Sequence, residues 1–225
     1  MICTKNRSEQ IPLVDYSKGE ERLNTGTHAA GLLISAAVIW FCVRPAIAAA
    51  DPMRIVCSLL YLLGTTAMFL TSALYHGAAP GDAKRILRLL DHCMIFFAVA
   101  GTATGCVPAV MDTVGLVPSL VLICAGWGGA LVGLFLTMRD FEGTRGIQLA
   151  LYIVTGLTCA VAGGGAYRRL EKGAFTALVI GSTLLLLGTL LYGVGKKRRY
   201  FHAVFHVFID AGLLVYFLGI SKYCY

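Results

Sequence analysis

The chain has 225 residues, 57% of them hydrophobic and 14% charged, with 19 Lys and Arg against 12 Asp and Glu for a formal net charge of +7. Mean hydropathy of +0.75, sustained by apolar runs along almost the whole length, excludes a water-soluble globule and points to a polytopic membrane protein. The cations are scattered among loop ends and do not gather on one soluble face, so they read as topological signals and no nucleic-acid partner is expected.

Seven apolar runs are long enough to cross about 30 Å of hydrocarbon as helices. They extend, in order, from His28 to Val43, Met53 to Gly77, Ile86 to Val110, Leu116 to Met138, Gly146 to Tyr167, Ala174 to Gly195 and Phe201 to Ile220. Lipid offers no outside partner to backbone amides, so the expected fold class is all-α, a seven-transmembrane-helix bundle. Residues 1–225 form one domain on this reading, opening with a polar segment over residues 1–26.

The first run ends in "AAGLLISAAVIWFCVRPAIAAAD", whose small residues resemble a signal-peptidase site near Ala50. Four acidic residues upstream and Arg44 within the run argue against cleavage there. The second span closes on "TSALYH", which sets Ser72 one turn before His76; the third opens with "LLDHCMIFF", carrying Asp91, His92 and Cys93. "GTATG" and "GWGGALVG" have the small-residue spacing that lets membrane helices approach closely. "AGGGA", residues 162–166, reads as a bend or helix end, since it lacks the lysine and strand context of a phosphate loop. The eight cysteines include no C-x-x-C pair and fall mostly inside spans, so no disulfide framework is expected.

Alternate ends of the spans carry 13 and 6 of the 19 cations, which by the positive-inside rule makes the N-terminus cytoplasmic and the C-terminus external. On that topology all five histidines fall at cytoplasmic ends. His202 and His206, in "KKRRYFHAVFHVFIDAG", are four apart and share a helical face, a common way for one helix to give a metal two ligands; His76 is placed to give the third. Three imidazoles around Zn²⁺ leave a fourth position for water, the open arrangement of catalytic zinc sites. Spacing alone leaves a set of structural histidines equally open. Asp91 can cap its helix, Ser72 can bond back to its own helix backbone, and His28 and His92 read as interfacial or locally hydrogen-bonded.

Taken together, "EERLNTGTHAAG", "TSALYH", "LLDHCMIFFAVAGTATG", "AGW" and "LLYGVGKKRRYFHAVFHVFIDAG" resemble the haemolysin III branch of the progestin and adipoQ receptor family, from Glu20 almost to the end. The resemblance implies a seven-helix membrane bundle with a cytoplasmic N-terminus, in a bacterial inner membrane. It implies Zn²⁺ held by His76, His202 and His206, with Ser72 and Asp91 beside the metal and its water. The chain departs from the family at Ala103 and Gly105, where Tyr and Pro are common, and at Phe205, where Trp is common. Loss of the first pair removes a kink from the third span and leaves Pro108 to bend it later.

The function implied is zinc-dependent hydrolysis of a lipid amide or ester, with Asp91 handling the proton of water and Ser72 bonding the oxyanion or the water. The alternative is a non-enzymatic sensor or membrane-homeostasis protein in which zinc holds helices together. Ion or proton transport fits least well, because few ionisable groups lie in the outer halves of the spans. The expected partner is membrane lipid.

Overall fold

A computed structural model of the chain describes residues 11–169, 172–195 and 198–225; Cys3, and Lys196 and Lys197 of the cationic run, lie outside them. Every regular element among the described residues is helical, and seven helical runs are long and apolar enough to span a membrane.

Helix α1, Lys18–Val38, begins ten residues before the expected boundary at His28. Its start is fixed locally by a capping box. The Glu20 backbone N–H donates to Ser17 Oγ at 3.3 Å, while the Ser17 N–H donates to Glu20 Oε2 at 2.9 Å. The helix continues through a π-helical turn, Ile39–Val43, into the short α2, Arg44–Ala48, where the Arg44 guanidinium lies 3.7 Å above the Trp40 ring. The run around Ala50 is thus built as one long span ending in a turn.

Helix α3, Pro52–Gly77, is capped by Asp51 and has proline in its first turn, where a missing N–H costs nothing. The third span is α4, Asp82–Gly105, then α5, Val107–Thr113. The break at Cys106 comes two residues before Pro108, because the proline ring would collide with a carbonyl one turn earlier. This is the later bend expected from the sequence. The remaining spans are α6, Leu116–Arg139, α7, Arg145–Arg169, α8, Lys172–Gly195, and α9, Phe201–Tyr223. Helix α7 runs through "AGGGA" without the expected bend or end. In lipid a glycine gains nothing by releasing its backbone hydrogen bond, so low helix propensity in water does not carry over.

The third span is the central one. Of its apolar window 78% is buried in the bundle, against 22% for each of the fifth and sixth. It packs on α3 through two glycines, since a Cβ added to Gly64 would meet the Phe97 carbonyl and the Gly101 Cα. Helix α3 also packs on α1, and α1 on α9, and the histidines collect at one end of this row.

Candidate metal centre

His76 closes α3, and one helical turn of α9 separates His202 from His206. The three rings converge, with one nitrogen from each lying within 4.8 Å of the others. His76 Nε2 and His202 Nε2 are 3.2 Å apart, near the ~3.3 Å edge of a tetrahedron of imidazole nitrogens about 2.0–2.1 Å from a shared ion. His76 and His206 are almost fully buried.

The far side of each ring decides which nitrogen can serve as a ligand. Glu21 Oε2 lies 2.7 Å from His76 Nδ1, and a carboxylate only accepts, so Nδ1–H donates to it. Asn24 Nδ2, at 3.4 Å from the same nitrogen, makes the opposite demand but is too distant to prevail. The other Glu21 oxygen accepts from Lys84 Nζ at 2.7 Å, and Lys84 also donates to the Ala78 carbonyl at 2.9 Å. His206 Nδ1 lies 3.3 Å from the Asn24 carbonyl and 3.2 Å from Thr27 Oγ1. Thr27 donates its own proton to the Leu23 and Asn24 carbonyls, so both contacts call for a proton on His206 Nδ1. With the proton on Nδ1, a neutral imidazole at either position keeps its lone pair on Nε2. His202 Nδ1 is buried and has no hydrogen-bond partner.

This donor set fits a metal ion: three imidazoles converge, and two of them have backing groups that orient the lone pair inward. Cys93 is buried but does not join the group.

Ser72 and Asp91 differ from their simpler readings. The Ser72 hydroxyl is fully buried and meets the Asp91 side chain, not a carbonyl of its own helix. Its neighbour Thr71, by contrast, donates to the Ala67 carbonyl at 2.8 Å. Asp91 does not cap a helix, because α4 starts at Asp82; it is buried in the third turn and lines a cavity with His202 and His206.

That cavity, about 180 Å³, lies next to a second of about 180 Å³ between α4, α7, α8 and α9. Met68, Ile95, Tyr152, Thr189 and Ile209 line both, so the two share a wall; both are mostly apolar, with Asp91, His202 and His206 set into the lining of the first.

The other two histidines separate. His92 lines the cavity, but its Nδ1 donates to the Arg88 carbonyl at 3.0 Å. His28 is not interfacial. It is buried face to face on His206, with ring centroids 3.7 Å apart and 14° between planes, and its Nε2 is 3.7 Å from Asp210 Oδ1. Stacking on a neighbouring helix outcompetes the water that an interfacial position would offer.

Sequence reasoning missed Tyr16, Glu21, Asn24, Thr27, His28 and Asp210. The residues before α1 fold over the histidines: Tyr16 stacks on His202 at 5.2 Å and 22°, and Arg85 and Arg88 donate to the Ile11 and Pro12 carbonyls. Burial pushes the Tyr16 phenol above its ordinary range, so this ring is neutral. Asp210 follows His206 by four residues on the same helical face, a spacing that was available to find it.

A profile of the family described as "Haemolysin-III related" matches residues 16–217, which takes in every residue of this cluster. The chain is similar to the "Hemolysin-3 homolog" of Bacillus subtilis (strain 168), 28% identical over 207 residues that cover 91% of this chain and 94% of the relative. It is also similar to "Hemolysin-3" of Bacillus cereus, 24% identical over 208 residues that cover 91% of each.

Proposed function

We propose that this chain, which belongs to the haemolysin-III related family and is a multi-pass cell membrane protein, is a zinc-dependent hydrolase of a lipid amide or ester. The observation that carries the proposal is the union, in one bundle, of three converging imidazoles with a mostly apolar cavity that two of them line. His76, His202 and His206 would hold the ion. When bound, zinc supplies Lewis acidity at a carbonyl and lowers the pKa of a water beside it.

The protein's own groups do the rest. Asp91, on the cavity wall, accepts the proton of the attacking water at its carboxylate. Ser72 Oγ, beside the Asp91 carboxylate, donates to the oxygen on which negative charge develops. The mostly apolar cavity receives the acyl chain and keeps bulk water from the reacting carbonyl. The histidine end is the cytoplasmic end, so cysteines at residue 5 and Lys197 should react from the cytoplasm and one at Lys222 from outside; residue 5 reacting from outside would overturn that orientation.

A second reading is favoured by the backing groups: Glu21, Asn24 and Thr27 of α1 join ligands from α3 and α9, so an ion there would also clamp three helices. In that case the protein is a non-enzymatic zinc-containing sensor or membrane-homeostasis protein. Zinc quantified in purified protein, together with a product screen across ceramides and other acyl lipids, separates the two. The hydrolase reading expects about one zinc per chain and a released fatty acid. Zinc-loaded protein with no turnover across the panel would favour the sensor.

A further inference from the structure

Helix α1 contributes no metal ligand, yet residues 21, 24 and 27 recur every three positions along it and meet the back of two ligand rings. The strongest of these contacts is the one from Glu21. We propose that Glu21 is a positioning residue for metal capture: by accepting the Nδ1–H of His76 it fixes the tautomer that leaves Nε2 as the donor atom facing His202. The inference rests on the metal reading above.

A neutral imidazole has one protonated nitrogen, and a ring free to choose would populate both tautomers. At His76 the choice is made by a group that cannot donate. The 2.7 Å contact to Glu21 Oε2 requires a proton on Nδ1, and the ring is buried, so water cannot offer an alternative partner. The carboxylate also ties α1 to its neighbours. Its second oxygen takes the Lys84 ammonium at 2.7 Å, and Lys84, 4% exposed, is itself anchored to the Ala78 carbonyl at the end of α3. Lysine, carboxylate and imidazole thus form a chain from α4 through α1 to α3, with the lone pair at its end. Negative charge behind the ring also strengthens Nε2 as a donor.

A merely structural Glu21 would tie α1 to α4 through Lys84 and have no influence on His76. The two roles are separated by a pair of substitutions. Glu21→Gln removes the charge and can turn its amide to donate toward Nδ1, which selects the wrong tautomer; Lys84→Met removes the helix tie and leaves the carboxylate on the ring.

The test uses the full chain in detergent, with Zn²⁺ alone as the probe. Chelator competition gives the zinc affinity, and long-range ¹H–¹⁵N spectra of histidine-labelled protein give the ring tautomers without metal. Glu21→Gln is expected to weaken zinc binding by roughly 10- to 100-fold, with Glu21→Asp recovering part of the loss. Lys84→Met is expected to lower thermal stability but to change zinc affinity by no more than about threefold, because the carboxylate that backs His76 remains. In the unmutated protein His76 is expected to carry its proton on Nδ1.

A bare Nδ1 on His76 in that spectrum would overturn the proposal, and this reading requires no variant to fold. Zinc affinity unchanged in Glu21→Gln, or lowered only as far as in Lys84→Met, would overturn it while leaving the metal site intact. Unmutated protein that takes up no zinc would overturn the metal reading and the purpose assigned to Glu21 with it.

Discussion

The two ends of the bundle are both polar, and they handle polarity differently. At the end away from the histidines, Arg54 donates to Asp51 at 2.6 Å, to Asp112 at 2.5 Å and to the Cys224 carbonyl at 3.3 Å. The Arg54 backbone and guanidinium hold the Asp51 carboxyl below its usual range. That cluster ties α3, α5 and the end of α9 with its charges matched. At the histidine end, His28 Nδ1 and His202 Nδ1 are buried without hydrogen-bond partners, and His28 Nε2 meets Asp210 Oδ1 only at ion-pair distance, 3.7 Å. Open polar atoms are costly in lipid, so their concentration around converging imidazoles marks a place built to receive something. At the Arg54 end the buried hydroxyls of Tyr61 and Tyr225 also lack such partners, but among the described residues no imidazole or carboxylate there does.

Removing the imidazoles should break this contrast most completely. The His202→Ala and His206→Ala double variant is expected to reduce bound zinc to background and to lower thermal stability, both measurable on purified protein. Full zinc retention would remove the ligand assignment. Next in size is Asp91→Asn, which keeps the side-chain volume but cannot take a proton. It should hold zinc yet lose lipid turnover by about 10²- to 10⁴-fold in single-turnover assays. Equal turnover in the two proteins would take Asp91 out of the chemistry.

The opposite end supplies the control. Arg54→Leu unpairs Asp51 and Asp112, but these groups are part-exposed, so the melting temperature should fall by only a few degrees with zinc content unchanged. A loss of zinc there would mean that the two ends are coupled through α3. Smallest of all is His92→Ala: its ring is satisfied within its own helix, and zinc affinity is expected to stay within roughly twofold.

The spans were legible because lipid imposes one rule on every residue of a crossing, and the observed helices begin and end within a few residues of the apolar runs except at α1. His202 and His206 were legible from their spacing of four. Glu21, Asn24 and Thr27 were hidden because charged and polar residues ahead of an apolar run look like a loop until something pairs with them. The capping box of Ser17 and Glu20 was the available signal that the helix begins there. Nothing local could have paired His28 with His206, since 178 positions separate them and the contact depends on how α1 lies against α9.

Tyr16 adds a question of time to this question of occupancy. Its ring sits flat on His202 beside the segment whose carbonyls Arg85 and Arg88 hold, so anything reaching the imidazoles from that side waits for the ring to leave. For an ion bound there, the tightness of binding and the rate of exchange with the surrounding water would be separate properties. The first belongs to the imidazoles and the groups behind them, the second to a phenol that ligates nothing.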